Sequence, residues 1–146
     1  MHSEYDLVDG TFCWCVEKNL HRKRFFGGNN YCQIIHDVWH AKGIIGNGGF
    51  HRFFDIASKA NVKSVVNAYK TVMLDRCAEI ISVAGRAYNA SKAKLANQNV
   101  DADADAIRHP IDEDLSSLER EFYDMSDVII ESLAKYIKRV NPRGDQ

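Results

Sequence analysis

The last third of the chain sets the strongest constraint on the fold. Leu115, Leu118, Phe122, Met125, Ile129, Leu133, Tyr136 and Val140 follow one another at steps of three or four residues. That spacing draws one continuous stripe along a helix. Such a stripe has to be buried against other helices, and its near-heptad rhythm could equally serve a helix of a partner chain. A short interruption near Asp124 is compatible with the pattern. The only prolines, Pro110 and Pro142, lie outside the long periodic segments, so nothing in those segments is bound to break a helix.

The same period runs through the rest of the sequence. Leu7, Val8, Phe12, Val16 and Leu20 predict one or two helices between Tyr5 and Arg24. The GGNN at 27–30 reads as a turn, and Asn30 with Gln33 resembles a capping box. A helix over Tyr31–Lys42 then buries Ile34, Ile35, Val38 and Trp39, with Gly43 as its stop. Asn61 is placed to cap a further helix whose inner face is Val62, Val65, Val66, Tyr69 and Val72. After a break near Leu74 the pattern resumes at Cys77, Ile80, Ile81 and Ala84 and reaches about Ala96. No segment alternates as a strand does, and no repeat is visible. The expectation is an all-α fold, with residues 1–146 forming a single domain of about six helices. At 45% hydrophobic and 27% charged residues, the composition is that of an ordinary globular chain.

One stretch invites a different reading. GIIGNGGFHRFF, residues 43–54, places Gly46, Gly48 and Gly49 around Asn47 and follows them with Phe50, Phe53 and Phe54. A phosphate-cradling loop needs a strand before it, a helix after it and a characteristic glycine spacing. Here the preceding segment reads as helix and the spacing is absent. The reading adopted is a helix–loop–helix hinge. Its glycines supply backbone angles or close approaches that a Cβ forbids, and Asn47 tolerates a left-handed turn or caps the next helix. The phenylalanines then enter the core.

Charge is unevenly laid out. The net charge is −1, yet residues 101–127 hold 10 of the 20 acids against Arg108 and Arg120 alone. The acidic connection at 97–114 offers Asp101, Asp103, Asp105, Asp112, Glu113 and Asp114 as candidates for contact with a partner, or simply as a solvated linker. Lys and Arg residues with the aromatics in HRKRFF, 21–26, read as a helix C-terminus rather than a nucleic-acid contact. No segment approaches the roughly 20 apolar residues of a membrane span. The four cysteines, Cys13, Cys15, Cys32 and Cys77, are irregularly spaced and read as reduced thiols of a cytoplasmic protein.

Cys32, His36 and His40 recur every four residues, as metal ligands on a helix can. Eight residues span about 12 Å of helix axis, so all three cannot reach one ion, although a His36–His40 pair could. That pair needs a third ligand, which the spacing does not supply. Cys13 and Cys15 point to opposite sides of a helix and make no site. No GxSxG elbow marks a nucleophile.

GIIGNGGFHRFF, the following VVNAYKTVMLDRCAEII and the closing EREFYDMSDVIIESLAKYIKRV together resemble the bacterial DNA-mimic protein 19-like family, a domain of unknown function. The likeness covers about residues 30–140, and NGGF with its trailing aromatics is the most specific part. Where many members carry an acid shortly before that motif, this chain has Ile44 and Ile45. The resemblance implies an all-helical fold and binding to a DNA-binding protein in place of DNA, with carboxylates standing for phosphates. It implies no catalytic residue. The expected function is therefore a non-enzymatic, cytoplasmic protein-binding domain without a cofactor, making no direct contact with nucleic acid or membrane. A homodimer through the C-terminal helix is compatible with it. The alternative is a metal-dependent enzyme or metal-binding protein using His36 and His40.

Overall fold

A computed structural model of the chain describes residues 3–21, 30–97 and 115–144. The fold is all-α. Among the described residues there are six helices and no strand: α1 (Glu4–Glu17), α2 (Asn30–Ile56), α3 (Lys59–Thr71), α4 (Asp75–Asn97), α5 (115–124) and α6 (Ser126–Val140). The acidic candidates at 101–114 and the basic residues at 22–24 lie outside the described residues.

Helix α2 is the axis of the molecule, packing against α1, α3, α4 and α6. Helix α1 starts at a capping box, in which the Ser3 hydroxyl accepts from the Asp6 N–H at 3.1 Å and the Asp6 carboxylate accepts from the Ser3 N–H at 3.3 Å. Three helices end on a left-handed residue that is not glycine. Asn19 (φ 56°) follows α1, Met73 (φ 67°) follows α3 and Asn141 (φ 46°) follows α6. After α1 and α3 the next residue's N–H reaches back to a carbonyl of the last turn, Leu20 to Cys15 at 2.9 Å and Leu74 to Tyr69 at 2.8 Å. The break near Leu74 is thus present, as is the one near Asp124, where Met125 separates α5 from α6. The cap of α3 is Ser58 and not Asn61, because α3 begins at Lys59 and the Ser58 hydroxyl accepts from the Asn61 N–H. Gly43 stops nothing: α2 runs straight through it.

The core gathers the apolar faces of all six helices. Phe50, Tyr69, Phe122, Ile35 and Ile45 are among its largest fully buried side chains. The Tyr69 hydroxyl donates to the Val38 carbonyl at 2.9 Å, and burial pushes its pKa well above the usual tyrosine range. The C-terminal stripe is consumed here. Leu115, Phe122, Ile129, Leu133 and Tyr136 are all buried in the chain's own core.

The cysteines depart from expectation. Cys15 and Cys32, both fully buried, are joined as a disulfide between α1 and the first turn of α2, with Cα atoms 5.4 Å apart. Packing α1 across α2 brings together two residues that spacing alone could not pair. The expectation of four reduced thiols fails for these two, and with it the cysteine argument for a cytoplasmic location. Cys13 is a free, exposed thiol. Cys77 is free and buried, and burial pushes its pKa up to about 12, so it stays protonated and inert at neutral pH. None of the helices described is long and apolar enough to cross a membrane.

Candidate functional site

The glycine stretch is a break inside α2. Residues 30–48 and 50–56 are helical on either side of Gly49, whose backbone (φ 74°, ψ −175°) belongs to a region that L-residues rarely occupy. A Cβ on Gly49 would also stand 2.4 Å from Glu119 Oε1. That carboxylate is there for a reason: its Oε1 accepts from the Phe50 N–H at 2.8 Å and so caps the second half of the helix. One turn further along α5, the Tyr123 hydroxyl donates to the Ile45 carbonyl at 2.8 Å, holding the end of the first half. Between these two groups Phe122 presents its ring edge-on to Phe50 at 5.9 Å and to Tyr69 at 6.0 Å. One face of α5 therefore holds both sides of the break.

This geometry supports the hinge and corrects its details. Gly43 and Gly46 lie in regular helix with open space where a Cβ would stand. Gly48 is crowded by the Arg52 side chain, and of the four glycines at 43–49 only Gly49 has positive φ. Asn47 is exposed and helical, and the cap it was expected to provide comes from Glu119. Phe50, Phe53 and Phe54 enter the core as expected. The Phe50 amide, which a phosphate would need, already serves a carboxylate of the same chain.

Nine to thirteen residues before Gly49, α2 carries a different cluster. The His36 ring lies 4.8 Å from that of His40 and 4.6 Å from that of His21, which follows α1, and Phe12 stacks on it at 5.6 Å. His36 Nδ1 is 3.4 Å from Asp37 Oδ1, and the other oxygen of Asp37 accepts from the Ser64 hydroxyl at 2.6 Å. Burial, then the neighbouring His36 and, more weakly, His21, lower the pKa of His40, against the opposing pull of Asp37. His40 also lines two cavities, of about 570 and 230 Å³.

His21 is a neighbour that helical spacing could not supply, since it approaches through the packing of α1 on α2. Even so, no group of three or more His, Cys, Asp or Glu side chains is arranged to hold a metal ion among the described residues. Cys32 is committed to the disulfide, and His51 packs against Tyr88. Sequence reasoning also missed Glu119 and Tyr123. Their spacing of four residues is the only signal they gave, and a solvated helix face gives the same one.

Of the acids in the acid-rich segment, two that are described are used internally. Glu119 caps the hinge, and both carboxylate oxygens of Glu121 accept from Arg76 Nη2 at 2.6 Å, joining α4 to α5. The sequence model of the DMP19-like protein family matches residues 29–140, from the start of α2 to the last residue of α6. The chain belongs to the DMP19-like family. No curated protein and no solved structure matches it. The DMP19-like region holds the hinge, both of its α5 clamps, His36 and His40. It leaves out α1, and so excludes Cys15, Phe12 and His21. The disulfide thus ties a helix outside the matched region onto the DMP19-like core.

Proposed function

We propose that this DMP19-like protein is a non-enzymatic binding domain that engages a DNA-binding protein through carboxylates of its acidic connection. Asp101, Asp103, Asp105, Asp112, Glu113 and Asp114 are the groups assigned to that contact, standing where a DNA-binding protein expects phosphates. The observation that carries the reading is membership of the DMP19-like family, joined to the concentration of acids in this one segment. The hinge adds support of a different kind. The stretch that most resembled a ligand loop is used by the fold, which leaves recognition to surfaces rather than to a phosphate pocket. The pair His36 and His40 gains His21 as a neighbour, and among the described residues no third ligand is arranged with them.

The test is capture from lysate of the source organism on immobilised wild type and on a variant with Asn at positions 101, 103, 105, 112 and 114. The expected result is a DNA-binding protein retained by wild type alone and released by added duplex DNA. Retention of the same partners by both proteins would sink the reading.

A further inference from the structure

Helices α3 and α4 enclose a groove of about 460 Å³ on the surface of the family core. Its apolar lining includes Phe54, Val62 and Val66. Gly85 makes that lining possible: a Cβ there would meet the Phe54 ring at 3.3 Å, so the absence of a side chain lets the ring lie against α4. Around the lining stand four cations, Lys59, Lys63, Lys70 and Arg86, with Asn67 and Asn89 between them, and among the described residues no carboxylate lines the groove. Helix α3 contains three lysines and no acid along its whole length. The ion pairs of the described residues all lie elsewhere and engage none of the four.

We propose that this groove binds an acidic amphipathic helix of a partner protein. Two observations choose this occupant. Lys59 and Lys70 are eleven residues apart, about 16 Å along the α3 axis, so the positive charge is spread over three turns. A single anionic head group would use one or two of these cations and leave the rest unpaired, whereas a helix with carboxylates on successive turns meets them all. The apolar lining then separates a helix from a nucleic-acid backbone, which would follow the cations but bring nothing to cover Phe54, Val62 and Val66. The partner is opposite in charge to the one assigned to the acidic connection, so the two surfaces are distinct and can fail independently.

The probe is a fluorescent four-turn helix of Leu, Ala and Glu with its leucines on one face, titrated into the full chain and followed by anisotropy. Three controls accompany it: a peptide with serine for leucine, a single-stranded oligonucleotide and dodecanoate. The variant Lys63→Glu/Arg86→Glu reverses two exposed charges, and its melting curve should match that of wild type. The expected result is saturable binding of the amphipathic peptide that weakens at least about tenfold in the variant and is lost with the serine peptide. Equal binding by variant and wild type would overturn the proposal. So would tighter binding of the oligonucleotide or of dodecanoate at the same groove. Peptide binding that emerges only when the aspartates at 101, 103, 105, 112 and 114 are changed to Asn would assign the groove to the chain's own acidic segment and also overturn it.

Discussion

Helix α2 is held at two places, and the two are held differently. At the hinge, α5 fastens the break with a buried ring, a carboxylate on the Phe50 amide and a phenol on the Ile45 carbonyl. Near its start, α1 fastens it with a disulfide and a stack of aromatic and imidazole rings. The hinge lies wholly within the family-matched region, whereas every α1 partner at the start of α2 lies outside it. The difference teaches how a helical core accepts an addition. Its own break is over-determined by sterics and hydrogen bonds that leave no alternative geometry. The added helix brings a covalent tie and a stacked contact, and it also lends Val8 to the shared core.

The sharpest way to break this comparison is at Gly49. Valine there meets two obstacles at once, a backbone of φ 74° and a Cβ 2.4 Å from the Glu119 carboxylate. Gly49→Val is expected to cost more than about 4 kcal/mol or to abolish soluble folding, the range of buried strain combined with a lost cap. Urea titration measures it, and a variant within about 1 kcal/mol of wild type would show that the break is soft. The contrasting change is Gly46→Ala, in regular helix with open space, which should gain stability by roughly 0.5–1 kcal/mol.

The start of α2 is tested next. Cys15 and Cys32 are 17 residues apart, and removing a cross-link of about that loop length costs about 3 kcal/mol on chain-entropy grounds. Cys15→Ser/Cys32→Ser is expected to remain folded with a lowered melting temperature, because the core under α1 stays intact. Thiol labelling sharpens the assignment. In the native, unreduced protein Cys13 should react, the buried Cys77 should not, and Cys15 and Cys32 should become reactive only after reduction. Labelling of Cys15 or Cys32 before reduction would remove the tie from the comparison.

Glu119→Ala separates the two elements of the hinge. It removes the carboxylate that a side chain at position 49 would meet, and it strips the Phe50 amide of its acceptor in a partly buried place, at a cost of about 1–3 kcal/mol. If the loss is much smaller, the break is held by the packing of Phe122 and the Tyr123 hydrogen bond without the carboxylate.

These outcomes bear on what could be read in advance. The stripe from Leu115 to Val140, the break at Met125 and the descent of Phe50, Phe53 and Phe54 into the core follow from period and side-chain type, which are local properties. The need for a glycine at the hinge was legible, but which glycine was not. Four of them stand between 43 and 49, and what singles out Gly49 is a carboxylate 70 residues away. The disulfide was hidden for the same reason. Cys15 and Cys32 meet only once α1 has crossed α2, and no pattern along the chain records that crossing. Asn61 looked like a cap because it precedes an apolar run, while Ser58, three residues earlier, accepts Asn61's own N–H with its hydroxyl and starts the helix sooner. Recognition surfaces were the least legible: the basic groove draws on α3, α4 and Phe54, and only the fold assembles them.

The smallest expected effect lies in the histidine stack and decides whether it is more than packing. His40 has a pKa lowered from its ordinary value of 6.5, with burial as the largest cause. The groups around it are His36 and Asp37 on α2, with His21 from the segment after α1. A base whose folded pKa lies below its unfolded one is stabilising while neutral, so its contribution is fully present above pH 6.5 and is lost as pH falls through the lowered folded value. Wild type should therefore lose melting temperature on acidification through that window, and His40→Gln should lose less. If both proteins show the same slope, His40 is solvated in both states and the stack is a contact between rings. If only wild type softens in acid, the α1 side of α2 is the part of the molecule that senses pH.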